Sequence, residues 1–152
     1  MIARECSTCK MAARILLVDD SEADARLVRE SLRDAQMIAA LDWVEDGVEA
    51  MDYLHRRGRH AGAQRPDLIL LDLNMPRMDG REVLAALKSD PAFMSIPVVV
   101  LTTSQAEEDI ARSYDLHANC YISKPVAFDD FVRVLKSIES FWLTVVCLPR
   151  TP

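Results

Sequence analysis

Apolar residues along this chain fall into two regimes. Short unbroken runs stop abruptly at a polar residue, and longer segments repeat an apolar position every three to four residues. The runs are RILLV at 14–18, ending in Asp19-Asp20, LILL at 68–71, ending in Asp72, and PVVVL at 97–101, ending in Thr102-Thr103-Ser104. Weaker runs lie at 40–44 and 120–123. Strands covered on both faces read this way, because neither face can be polar. Between the runs, Ala25, Val28, Leu32 and Ala35 form one stripe over 21–35, and Val48, Met51 and Leu54 another over 47–57. Val83, Leu84 and Leu87 form a third over 79–89, which stops before Asp90-Pro91. A shorter, more polar helix is expected over 107–116 and a long apolar-rich one from 128 to about 146. Five strands alternating with five helices predict an α/β domain whose parallel sheet is covered on both sides, since parallel neighbours need crossover connections. There is no internal repeat and no sign of a second domain.

One connection breaks this economy. Residues 56–66 (RRGRHAGAQRP) are long for a helix-to-strand loop and carry Arg56, Arg57, Arg59, Arg65 and His60. Two readings stand side by side, a solvated insertion and a partner-docking loop.

Composition narrows the class. With 152 residues, 50% of them hydrophobic and only four glycines, the chain can bury a core of its own, and disordered or collagen-like readings are excluded. Acidic residues outnumber basic ones 24 to 18, a net charge of -6, so no global field draws the chain to nucleic acid and direct DNA binding is not expected. No apolar stretch approaches the roughly 20 residues a membrane helix needs, and no apolar signal segment precedes Asp19, which predicts a soluble, cytoplasmic protein. Cys6, Cys9, Cys120 and Cys147 are scattered, and the Cys6-x-x-Cys9 pair lacks the second ligand pair of a zinc site and the strand-to-helix setting of a redox motif. Reduced thiols are the expectation. Residues 1–12, with Met11 as an alternative start, read as a disordered tail.

In an open doubly wound sheet, ligands bind beyond the carboxyl ends of the strands. The residues there are Asp19 and Asp20 after the first strand, Asp72 after the third, Thr102 after the fourth and Lys124 after the fifth. Each alone has an ordinary explanation: the aspartates could cap a helix or open a turn, the threonine could bond backbone, and the lysine could be solvated. Jointly they would bring three carboxylates, a hydroxyl and an ammonium to one area. Clustered carboxylates repel, and a divalent cation removes that penalty. An all-oxygen ligand set favours Mg²⁺, with Mn²⁺ as a substitute, and a carboxylate beside Mg²⁺ can serve as a nucleophile for phosphoryl transfer.

The runs ILLVDDS (15–21), DLILLDLNMPRMDG (67–80), VVVLTTS (98–104) and YISKP (121–125) resemble the receiver domain of two-component response regulators. The resemblance spans about residues 14–140 and implies a flavodoxin-like, five-stranded parallel sheet of order 2-1-3-4-5, with 13–149 as the receiver. It implies that Asp72 accepts a phosphoryl group from the phosphohistidine of a sensor histidine kinase. It implies Asp20 and Asp72 as direct metal ligands, Asp19 as an acidic neighbour acting through water, and Asn74 as a backbone carbonyl ligand. Thr102 and Lys124 match the groups that meet the phosphoryl oxygens, Tyr121 an aromatic switch, and Pro125 a proline after a cis peptide. Asn74 and Ser104 match positions that tune hydrolysis of the phosphoryl group. On this reading the chain is not an enzyme on other substrates; it assists only its own phosphorylation and dephosphorylation.

The segment after the fifth helix leaves no room for an output domain, which predicts a stand-alone receiver. Ile138, Phe141, Trp142, Leu143, Val145, Val146 and Leu148 exceed what one helical stripe can bury. The ending FWLTVVCLP (141–149) and the long 56–66 connection are similar to those of phytochrome-associated single-domain response regulators. That similarity implies a homodimer through the fourth helix, fifth strand and fifth helix, with Phe141, Trp142, Val145 and Leu148 in the interface and a phytochrome-type kinase as donor. Two alternatives come from other classes. One is a constitutive dimeric scaffold. The other is an aspartate-nucleophile phosphatase, which would need a carboxylate where Asn74 stands.

Overall fold

The computed structural model describes residues 13–34, 39–73, 75, 77–102, 120–123 and 133. Its elements follow the predicted alternation: β1 (Ala13–Val18), α1 (Glu22–Asp34), β2 (Ala39–Val44), α2 (Gly47–Leu54), β3 (Leu68–Asp72), α3 (Gly80–Ser89), β4 (Val98–Thr102) and β5 (Cys120–Ser123). The sheet is parallel, in the order β2-β1-β3-β4-β5 that the resemblance implied. The expected helices at 107–116 and 128–146 and the tail beyond lie outside the described residues, as do residues 1–12.

Side chains on a strand alternate between faces, and this period divides the core in two. Leu16, Val18, Ile69 and Leu71 point to one side and meet Ala50 and Leu54 of α2 and Val83, Leu84 and Leu87 of α3. Ile15, Leu17, Leu68 and Leu70 point to the other, against Ala25, Val28 and Leu32 of α1. All five residues of β3 are buried, as befits the central strand of the five. No described helix is long and apolar enough to cross a membrane.

Helix boundaries differ from the sequence pattern for local reasons. Ser21 is the cap of α1 and not its first residue: its Oγ accepts from the Asp24 amide at 3.1 Å. Asp79 likewise caps α3, in a reciprocal capping box with Glu82. The helix expected over 47–57 stops at Leu54. There Arg57 N donates to Asp52 O and Arg56 N to Tyr53 O, at 2.8 and 3.2 Å, with Arg56 at φ 58°. This is the paired bonding by which a left-handed residue closes a helix, with arginine in the place glycine usually takes. Gly58, two residues later, is the visible glycine and misplaces the end.

The 56–66 connection folds back onto the domain through a short 3₁₀ turn, Gly58–His60. Arg57 pairs with Asp52 at 3.1 Å, Arg59 with Glu49, and Arg65 NH2 donates to Ser95 Oγ at 3.0 Å. Beneath it, Tyr53 Oη donates to Asp42 Oδ2 at 2.5 Å. Burial, then the hydrogen bond to Asp42, pushes the Tyr53 phenol well above its usual range.

Candidate functional site

The strand ends bring the expected carboxylates together. β1 and β3 are adjacent, with Val18 in register with Leu71, so the residues that follow emerge side by side at one edge. Oxygens of Asp19, Asp20 and Asp72 all lie within 4.8 Å of one another. Asp19 is 1% exposed and Asp72 8%, whereas Asp20 is exposed. Three carboxylates this close, two of them shielded from water, repel strongly without a cation. The donors are hard oxygens with no thiolate or imidazole in the group, and they fit a hard divalent cation.

Each carboxylate is held differently. Asp19 Oδ1 accepts from the Ser21 amide at 2.9 Å, so it stabilises the turn into α1 while Ser21 makes the cap; the helix-cap explanation for the aspartates gives way to this division of labour. Asp72 ends β3, and its backbone is locked by α3: Gly80 N donates to Leu73 O at 2.9 Å. A methyl group on Gly80 would stand 2.6 Å from Leu73 Cα, so only glycine lets the helix start this close behind the acid.

Thr102 ends β4, one residue past Leu101, which is in register with Asp72, and Ser123 of β5 is in register with Thr102. The backbone therefore brings Thr102 to the acidic edge, and Tyr121 to β5, opposite Val100. Asn74, Ser104, Lys124, Pro125 and the apolar tail residues Phe141, Trp142, Val145 and Leu148 lie outside the described residues.

Sequence reasoning missed the bracing of this edge from β2. Trp43 Nε1 donates to the Asp19 carbonyl at 2.7 Å, and Asp19 N donates to Val44 O at 3.1 Å. Asp46 caps α2 through the Glu49 amide at 2.9 Å, and its other oxygen receives Arg77 Nε and NH2 at 2.9 and 2.7 Å. Arg77 lies in the loop after Asp72 with φ 63°, a conformation that arginine adopts rarely and that the two bonds hold. Asp46-x-x-Glu49 carries a cap signature visible in sequence; nothing in sequence marks its second bond or the indole contact.

The model of the response regulator receiver domain matches residues 15–136. "Response regulator Rcp1" of Synechocystis sp. is 50% identical over 135 residues, which are 89% of this chain and 92% of the relative. The phosphorylated cyanobacterial phytochrome response regulator RcpA aligns with a TM-score of 0.81 at 53% identity, over 88% of this chain and 95% of that one. The Mn²⁺-bound form of Rcp1 aligns at 0.80 and 50% identity, over 90% and 99%. These relatives are response regulators and the matched family is a receiver, not an enzyme family. Fold, strand-end acids and relatives agree, and the chain belongs to the response regulator receiver domain family.

Proposed function

We propose that this response regulator takes a phosphoryl group onto Asp72 from a sensor histidine kinase, with Mg²⁺ held by Asp20 and Asp72 and by the Asn74 carbonyl. The observation that carries the proposal is the convergence of the Asp19, Asp20 and Asp72 oxygens within 4.8 Å at the ends of two adjacent strands. An Asp72 carboxylate oxygen forms the new P–O bond as the P–N bond of the phosphohistidine breaks, and the imidazole nitrogen keeps the electron pair. Bound Mg²⁺ supplies neutralisation of the charge on the phosphoryl oxygens. The Asp19 side chain shapes the turn through Ser21 and acts on the cation through water. Thr102 and Lys124 meet the phosphoryl oxygens, and their movement favours the conformer in which Tyr121 turns inward.

The alignment with the phytochrome response regulator RcpA supports a phytochrome-type kinase as donor, and the Mn²⁺-bound Rcp1 supports divalent binding. On this reading residues 13–149 form a single cytoplasmic receiver behind a tail of residues 1–12. It signals by protein contact through the fourth helix, fifth strand and fifth helix, and dimerises through Phe141, Trp142, Val145 and Leu148. The test is intact mass after incubation with Mg²⁺ and acetyl phosphate, beside Asp72→Asn, with light scattering on the same samples. One phosphoryl adduct on the wild type alone is the expected result. No adduct with either acetyl phosphate or purified kinase would leave the constitutive-scaffold alternative in its place.

A further inference from the structure

β2 contributes no carboxylate to the acidic edge, yet it touches that edge at the place where direction is set. The Asp19 carbonyl that Trp43 Nε1 reaches at 2.7 Å belongs to the peptide joining Asp19 to Asp20. A peptide unit is planar, so fixing its oxygen fixes the plane from which the Asp20 side chain departs. The amide on the other side of Asp19 is tied as well, to Val44 O at 3.1 Å. Asp19 and Asp72 are buried and gain orientation from their surroundings, whereas Asp20 is exposed and depends on its backbone. The indole is itself held, half-buried against the cluster that includes Val28 and Leu32 of α1. An indole N–H can only donate, which makes the contact one-directional and unambiguous.

We propose that Trp43 is a positioning residue for the cation site: its indole N–H aims the Asp20 carboxylate by holding the Asp19–Asp20 peptide. The inference rests on reading Asp19, Asp20 and Asp72 as the Mg²⁺ site. Trp43→Phe keeps an aromatic ring and removes the donor. Calorimetric titration with Mg²⁺ alone should show affinity weakened roughly 2- to 10-fold, the range that one net hydrogen bond commands. Val28→Ala loosens the cluster against which the indole packs without removing the bond, and should lower the melting temperature while leaving Mg²⁺ affinity within about twofold. In the wild type, the Trp43 indole ¹H–¹⁵N resonance, assigned by its loss in Trp43→Phe, should shift with the calorimetric midpoint during the titration. Unchanged Mg²⁺ affinity in Trp43→Phe, an equal loss in Val28→Ala, or an indole resonance that ignores Mg²⁺ overturns the proposal. Failure of the reading beneath it has a separate signature: no Mg²⁺ binding by the wild type, or Asp20→Asn binding as tightly as the wild type, removes the site and the role of Trp43 with it.

Discussion

Two helices of this receiver begin with the same local sequence, and the comparison separates what a local code does from what its surroundings do. α2 starts at Asp46-Gly47-Val48-Glu49 and α3 at Asp79-Gly80-Arg81-Glu82. Both aspartates accept from the amide three residues on, at 2.9 and 3.0 Å, and both starts press a glycine against another segment. There the likeness ends. Gly80 backs directly onto Leu73 and the Asp72 backbone, while Gly47 backs onto Met78 and Val83. The second oxygen of Asp46 binds Arg77 at 2.7 Å, across 31 residues, whereas that of Asp79 reaches only Arg81 at 3.4 Å, two residues away. One start backs onto the backbone of Asp72 and Leu73; the other is tied to the loop that follows, through the Gly47 amide donating to Met78 O at 3.0 Å and through the Asp46–Arg77 ion pair. An identical motif teaches where a helix begins and nothing about what it steers.

Substitutions can break the comparison in order of size. Gly80→Ala should be the most damaging, because the methyl meets backbone that cannot yield without moving Asp72. We expect a loss of about 1–3 kcal/mol in chemical denaturation and at least a roughly tenfold drop in adduct formation with acetyl phosphate. Gly47→Ala puts its methyl against the Met78 carbonyl oxygen and 2.7 Å from Met78 Cβ and Val83 Cγ2, and should cost a similar amount, about 1–3 kcal/mol, while retaining most of the adduct because the backbone it displaces is that of Met78 and not of Asp72. Equal adduct loss in the two variants would erase the distinction drawn between them. Next come the caps. Asp46→Ala should cost about 2 kcal/mol, cap and ion pair together, against about 1 kcal/mol for Asp79→Ala, with equal losses showing that the Arg77 bond contributes nothing. Smallest is Arg77→Gly, which removes an ion pair that is 60% exposed on the arginine side but relieves a left-handed arginine. These effects oppose each other, so stability should stay within about 1 kcal/mol of wild type, and the sharper readout is faster hydrogen exchange at the Gly47 amide, which donates to Met78 O at 3.0 Å.

Much of the fold was legible because buried parallel strands leave a contrast in sequence that few other structures leave. The runs at 14–18, 68–71 and 97–101 each end within one residue of the observed strand, since a strand covered on both faces needs an unbroken apolar run. Asp19, Asp20 and Asp72 are legible as a group for the same reason: they are the polar residues that directly follow two of those runs. The end of α2 was not, because a left-handed arginine does the work for which glycine is the usual sign. In sequence Trp43 looks like one more strand residue, since a hydrogen bond across 24 positions has no local trace.

The sequence by itself determined the alternation of elements and the identity of the acids at the strand ends, because each depends on residues within a turn or a strand of one another. Tertiary structure alone decided which surroundings those residues met: that Asp20 stands exposed beside two buried carboxylates, that Trp43 holds the peptide between two of them, and that Asp46 reaches across to Arg77. Such contacts form only after strand order and register are fixed, and strand order is a property of the whole sheet.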